Sequence, residues 1–342
     1  METNKTLQTP NDTVSILQWK SDLQVDFEKN ESLYFIKEQD LPFISQSELV
    51  LMSKTLSTNV LSPLKKLLSK HLVTQALISN LGCVEDVYFI RISLNKPPQA
   101  LHDAIKSFAL EQKFDFALVE ALPDFSQPGL VLMDMDSTTI QIECIDEIAR
   151  LYGVGEQVSA VTAAAMRGEL DFNGSLRTRV GKLANAPESL IKEVADNMPL
   201  MPGLIALIAG LKAAKWKVAI ASGGFTYFAN RLKDDHGFDA AYANTLEIID
   251  NTLTGEVIGE IVNADVKART LKELAETFNI SNSQTVAIGD GANDLVMMAA
   301  SSLGIAIHAK PIVQEKASVA LNHLDLEGAL CLLTASLPFQ FK

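Results

Sequence analysis

Cysteine is scarce in this chain: Cys83, Cys144 and Cys331 are the three among 342 residues. So few thiols, so widely scattered, give neither a disulfide framework nor a zinc site, and they fit a reducing compartment. Positive charge is also short. Lys and Arg total 29 against 42 Asp and Glu, for a formal net charge of −13, and the basic residues form no cluster. The chain therefore lacks the electrostatic footprint of a nucleic-acid or anionic-lipid binder. A small anionic ligand would have to be drawn by a local positive site. The first twelve residues are polar and contain no apolar h-region of a signal peptide. The longest apolar stretch, 204–220, is interrupted by Lys212, Lys215 and Lys217, so it reads as a helix followed by a strand and not as a membrane span. Internal repeats and low-complexity tracts are missing as well. The expectation is a soluble, cytoplasmic protein with neither nucleic acid nor membrane as partner.

The length leaves room for two or three domains, each with its own core. Residues 1–122 show strand-like runs at 14–19, 33–36, 48–52, 87–94 and 114–121, with helical patterns at 61–81 and 98–112. That order predicts a small N-terminal α+β sandwich of ferredoxin-like type. The segment 123–129, Pro-Asp-Phe-Ser-Gln-Pro-Gly, is turn-rich and makes a linker. From Leu130 to the end, 130–342, strands and helices alternate, which predicts an α/β domain with a Rossmann-like parallel sheet. Its strands are expected at 130–133, 216–221, 240–243, 285–288 and 305–307. A helical insertion at about 147–201 reads as a cap. A second insertion, at about 246–261, carries Asp250-Asn251-Thr252 between β-branched runs and reads as a hairpin flap.

Two acidic segments carry the chemistry. Asp134-Met135-Asp136-Ser137-Thr138 follows the apolar run 130–133, so a buried strand delivers both carboxylates at its carboxyl end, where open α/β sheets bind ligands. Gly289-Asp290-Gly291-Ala292-Asn293-Asp294 repeats the design after the strand 285–288. Four carboxylates converging on one sheet edge call for a hard divalent cation, and magnesium with a phosphate ester is the natural occupant. Ser222-Gly223-Gly224 follows the strand between them and offers a hydroxyl and unobstructed N–H groups to phosphoryl oxygens. A cation for the phosphate is also needed, and from the residues alone Lys267, Arg269 and Lys272 serve equally well.

With these segments in this order, the chain from about Gly129 to Leu333 resembles the haloacid dehalogenase superfamily and, within it, the phosphoserine phosphatases. The resemblance implies magnesium-dependent hydrolysis of O-phospho-L-serine to serine and phosphate, the last step of serine biosynthesis. It assigns Asp134 as the nucleophile that becomes an aspartyl phosphate and Asp136 as the general acid and base. The implied metal ligands are the Asp134 and Asp290 carboxylates and the Asp136 main-chain carbonyl. It selects Lys267 as the phosphate cation, oriented by Asp294, and adds Ser222, Gly223, Gly224 and Asn293 as phosphate contacts. Glu143 corresponds to the glutamate that takes the substrate ammonium, and Arg179 to the arginine that takes its carboxylate. Met166 and Phe172 correspond to the apolar wall. The N-terminal region is similar to a degenerate ACT module. A homodimer is left open, as is phosphoryl transfer to another alcohol such as homoserine.

Plainer alternatives stand beside several of these residues. Glu143 can be an acid satisfying a helix N-terminus, and Arg179 a surface ion pair. Cys144 reads as a small buried hydrophobe, since no activating histidine lies nearby.

Overall fold

The computed structural model describes residues 44–56, 60–73 and 76–338, and they fall into two compact units. The first takes in the described residues up to Gln127 together with Ile305–His308 and residues 318–338. Its N-terminal part runs β1 (Ser47–Ser53), α1 (Leu61–Lys70), β2 (Ala76–Val84), β3 (Val87–Leu94), α2 (His102–Gln112) and β4 (Asp115–Val119). β1 pairs antiparallel with β3 and β4, and β3 with β2. The order β2-β3-β1-β4 is that of a βαββαβ sandwich. Alternation along β1 sends Leu49 and Leu51 into a core shared with Leu64 of α1 and Ile105 of α2. Val50 and Met52 point to the other face and are equally buried. The helix expected over 61–81 ends at Lys70, and 76–84 forms β2 instead. Its buried Ala76 and Ile78 are two apart, the strand period. The strands expected at 14–19 and 33–36 lie outside the described residues.

The second unit begins with β5 (Leu130–Met133), four apolar residues with no exposed surface. The helices α3 (Cys144–Tyr152), α4 (Gly155–Met166), α5 (Phe172–Gly181) and α6 (Ser189–Asp196) follow in the region expected as a cap. The segments leading into and out of it are pinned together. Ile140 bridges Leu200, Gln141 N–H donates to Pro199 O at 2.9 Å, and Met201 N–H donates to Thr139 O at 2.9 Å. Then come α7 (Leu204–Ala213), β6 (Lys217–Phe225), α8 (Thr226–His236), β7 (Ala240–Ile249), β8 (Thr252–Ile258), α9 (Ala264–Thr277), β9 (Thr285–Gly289) and α10 (Leu295–Ala300). Strands β9, β5, β6 and β7 pair in parallel in that order, and β8 pairs antiparallel with β7. Register sets Met133 opposite both Ile220 and Ile288, so the residues that follow emerge at one level of the sheet edge. The β7–β8 hairpin turns at Asp250 and Asn251, both left-handed with φ of 51° and 57°, as a two-residue turn requires. It is bonded to the cap: Asn185 N–H donates to Leu253 O at 2.8 Å, and Leu253 N–H to Ala186 O at 2.9 Å.

The chain then continues through β10 (Leu303–Ile307), the short α11 (Pro311–Gln314), β11 (Val319–Leu321) and α12 (Leu326–Ala335). Residues Ile305–Ile307 pair in parallel with β11, and β11 pairs antiparallel with β4. The buried Asp115 accepts N–H bonds from Asn322 at 2.9 Å, His323 at 3.0 Å and Leu324 at 2.8 Å. α12 buries nine of its ten residues. It packs on β1, β2 and β3; Asn80 Nδ2 donates to Leu337 O at 2.8 Å, and Arg91 Nη1 to Ser336 O at 3.0 Å. Residues 318–338, grouped by sequence with the 130–342 domain, thus fold with the N-terminal strands. A helix apolar all round needs a second apolar surface, and the far face of β1 supplies it. Among the described residues no helix is long and apolar enough to cross a membrane.

Candidate active site

Asp134 leaves β5 still tied to the sheet, its N–H donating to Ile288 O at 2.9 Å. Its Oδ1 accepts Met135 N–H at 2.7 Å, and its Oδ2 lies 2.8 Å from Lys267 Nζ. Lys267 has no exposed surface and also bonds Asp294 Oδ1 at 2.7 Å. Asp294 Oδ2 accepts Gly291 N–H at 3.0 Å. Burial lowers the affinity of Lys267 for its proton, but Asp134 and Asp294 outweigh that and raise it, so the ammonium stays charged between two carboxylates. Arg269, equally eligible by sequence, is exposed and pairs with Glu260 at 2.5 Å. A Cβ at Gly289 would overlap the Asp294 side chain, which explains the glycine at the end of β9.

Carboxylate oxygens of Asp134, Asp290 and Asp294 all lie within 4.8 Å of one another. Asp294 is already committed on both oxygens. Asp290 has one hydrogen bond from the Thr138 hydroxyl, at 3.1 Å, and its carboxyl is pushed up to about 7 by burial and then by Asp134 and Asp294. An all-oxygen donor set crowded in this way suits a hard divalent cation, which would relieve the repulsion.

Asp136 is held differently. Its Oδ2 accepts Cys144 N–H at 3.1 Å, while its Oδ1 is buried with no hydrogen-bond partner. Burial, then Glu143 and Asp134, push its carboxyl well above the ordinary carboxylate range. Such surroundings favour the protonated, neutral form of a carboxyl group. Cys144 is fully buried and its thiol is pushed up by burial and Asp136, so it is no nucleophile.

These groups open onto a cavity of about 530 Å³. The core side contributes Asp134, Asp136, Asp290, Asn293 and the loop Ser222–Gly224. The cap side contributes Glu143, Met166, Phe172 and Arg179. All the residues singled out by sequence therefore line it, except Lys267 and Asp294, which lie behind Asp134. Met166 is largely exposed at the rim. Phe172 lies so close to Gly223 that a Cβ there would meet its ring at 2.7 Å. Arg179 Nε is buried and has no hydrogen-bond partner. Glu143 is solvent-exposed and accepts Ser137 Oγ–H at 2.8 Å. Its carboxyl is raised by desolvation in the pocket, against the Ser137 bond, and further by Asp134 and Asp146.

Sequence reasoning missed the residues that hold the loops. Thr139 Oγ donates to Asp134 O at 2.6 Å. Asn244, buried within β7, donates to Gly223 O at 2.8 Å and accepts Val262 N–H at 2.8 Å. Its signal was an amide interrupting an apolar strand run, a position that needs internal partners.

A family model described as haloacid dehalogenase-like hydrolase matches residues 128–301. The phosphoserine phosphatase of Vibrio cholerae is 55% identical over 230 residues, covering 67% of this chain and 70% of that relative. The crystal structure of a probable phosphoserine phosphatase from Vibrio cholerae, in unliganded form, has a TM-score of 0.74 at 42% identity, over 88% of this chain and 91% of that one. A structure of a phospho-aspartyl intermediate analogue of phosphoserine phosphatase has a TM-score of 0.57 at 40% identity, over 60% of this chain and 98% of that one. With the paired acidic loops at one sheet edge, the buried lysine behind them and relatives of this similarity, the chain belongs to the haloacid dehalogenase-like hydrolases.

Proposed function

We propose that this protein hydrolyses O-phospho-L-serine to serine and inorganic phosphate through an aspartyl phosphate on Asp134, as the last step of serine biosynthesis. The observation that carries the substrate class is the unpartnered, buried Arg179 Nε facing the same cavity as Asp134 and Glu143. That buried N–H has no acceptor, and a carboxylate is the group the guanidinium fork fits. Glu143 supplies the opposite charge for an ammonium. One wall for phosphate and one for a zwitterionic head group describe a phosphorylated amino acid.

The Asp134 carboxylate attacks phosphorus as the bond to the serine oxygen breaks, and Asp136 gives its proton to the departing alkoxide. The unpartnered Oδ1 of Asp136 is the oxygen free to hold that proton. In the second half Asp136, now a carboxylate, takes a proton from water as the water oxygen attacks the aspartyl phosphate. Phosphate leaves and both carboxyls return to their starting states. Lys267 sits against the Asp134 oxygen throughout and offsets the gathering negative charge. The Asp134 and Asp290 carboxylates and the Asp136 main-chain carbonyl are the donors we assign to magnesium. When bound, magnesium neutralises phosphoryl oxygens. The relative solved as a phospho-aspartyl intermediate analogue supports the covalent route.

The test is magnesium-dependent phosphate release across a panel of phosphorylated amino acids, with acid-quench trapping of protein-bound phosphate. Phosphoserine should lead the panel, and Asp134→Asn should show neither turnover nor trapped phosphate. Turnover by Asp134→Asn near the wild-type rate would remove the covalent mechanism. For the first unit, the βαββαβ order supports an ACT-like module that binds an amino acid. Calorimetry on the full chain giving no heat with any amino acid beyond the active-site product would end that idea.

A further inference from the structure

Ser137 is the strained residue of the first acidic segment, with φ of 56°, in the left-handed region that a serine seldom enters. The strain is held by a closed loop. Ser137 N–H donates to Ile142 O at 3.3 Å, and Cys144 N–H donates to Asp136 Oδ2 at 3.1 Å. Between these two bonds, Ser137 Oγ–H donates to Glu143 Oε1 at 2.8 Å. Glu143 occupies the N-cap position of α3, yet its side chain makes no capping hydrogen bond. A carboxylate at that position ordinarily turns back to the helix N–H groups. Here the serine hydroxyl takes it instead, and the carboxylate lines the cavity.

We propose that Ser137 is a positioning residue for substrate specificity: its hydroxyl holds Glu143 away from its own helix and toward the cavity, where the ammonium of an amino-acid phosphate binds. This rests on the phosphoserine reading of the site. The left-handed backbone is what aims the hydroxyl, so the strain is tied to the task. The same bond favours the ionised form of Glu143 and opposes the desolvation in the pocket and the neighbouring Asp134 and Asp146 that disfavour it.

Ser137→Gly removes the hydroxyl and relieves the backbone, so the fold is kept. Ser137→Asn tolerates the left-handed region and retains a donor. For phosphoserine, Ser137→Gly should lose roughly tenfold in kcat/KM, mostly through KM, the worth of one charge-assisted hydrogen bond. An aryl phosphate should lose less, so that the selectivity ratio falls. Ser137→Asn should recover part of the loss, and in a Glu143→Gln background Ser137→Gly should add little. Equal losses on both substrates, or losses that simply add to those of Glu143→Gln, would overturn the proposal. If wild-type protein shows no preference for phosphoserine, the substrate reading fails by itself. The positioning role is then decided by NMR titration of the Glu143 carboxyl, which must move upward in Ser137→Gly and overturns the proposal if it stays in place.

Discussion

Replacing Arg179 by alanine separates substrate recognition from phosphate chemistry. In the free protein its Nε is buried without a hydrogen-bond partner, so a carboxylate bound there gains a hydrogen bond that no protein group has to give up. Truncating one member of such a desolvated, hydrogen-bonded pair costs about 2–5 kcal/mol, much of it from leaving the other charge unpaired. That is roughly 30- to 5000-fold in kcat/KM for phosphoserine, at about 1.4 kcal/mol per tenfold. Glu143 is exposed, and solvent screens its partner. Glu143→Ala should therefore cost less, about 1–2 kcal/mol or roughly 5- to 30-fold. An aryl phosphate carries neither head group and meets only the core wall of Asp134, Asp136 and Ser222–Gly224, so its kcat/KM should fall far less in both variants. The assay is initial-rate phosphate release with the two substrates side by side at fixed magnesium. Equal losses on both, or a larger loss for Glu143→Ala than for Arg179→Ala, would refute the reasoning from burial and charge.

Lys267→Met leaves Asp134 and Asp294 buried without their shared cation. We expect about 3–5 kcal/mol of lost stability, read as a fall in Tm in the absence of metal, and no turnover; an unchanged Tm would mean that the pairing contributes nothing. Asp290 gives a pH signature, because its folded-state carboxyl is raised to about 7. The folded protein then holds a proton that the unfolded chain has released, so this group costs stability progressively as pH rises from about 4 to about 7. Magnesium requires that proton to leave and relieves the repulsion once it has, so the Tm gain on adding magnesium should be larger at about pH 7.5 than at about pH 5.5. A gain independent of pH would take Asp290 out of the metal site. A chain beginning at Asp124 keeps every residue assigned to catalysis but loses β1, β2 and β3, on which α12 packs, and β4, from which Asp115 anchors Asn322, His323 and Leu324. We expect it to bind a hydrophobic dye and to associate in size-exclusion runs; a monodisperse product with the full-length Tm would show that α12 needs no such cover.

The site was more legible than the fold around it, for a physical reason. Asp134, Asp136 and Asp290 follow short, fully buried strands, and a carboxylate at such a boundary is visible as an abrupt change of polarity. The cap was readable because helical periodicity runs through it. The break at His71 was not, because α1 and β2 are both amphipathic and lie few residues apart, so one pattern runs into the other. Lys267 could not be told from Arg269 or Lys272 by its neighbours in sequence. Its burial depends on Asp134 and Asp294, which come from the segments that follow β5 and β9. The placement of α12 was hidden in the same way. Its apolar residues declare that it is buried, but the surface that buries it is the second face of β1, more than 270 residues earlier (326 − 53 = 273).

Two carboxylates two residues apart reach different surroundings because the residue between them sinks into the core. Met135 has no exposed surface, and its carbonyl accepts N–H bonds from Thr138 at 3.2 Å, Thr139 at 2.7 Å and Ile140 at 3.0 Å, so the chain pivots about it. Asp134 stays on the sheet beside Lys267, whereas Asp136 turns to the Cys144 N–H, where burial and Glu143 push its carboxyl well above the ordinary range. The pivot needs room. A Cβ at Gly224 would meet Met135 Cε at 2.6 Å and Asp136 Oδ2 at 3.3 Å. Gly224 thus serves twice: its N–H donates to Ser222 Oγ at 2.9 Å, closing the loop proposed for phosphate, and its missing side chain leaves the space in which Met135 can anchor the acid. The serine-glycine-glycine loop and the first acidic segment are therefore one packing unit, and the pairing of a glycine with a buried methionine is what gives two carboxylates at a spacing of two their different surroundings.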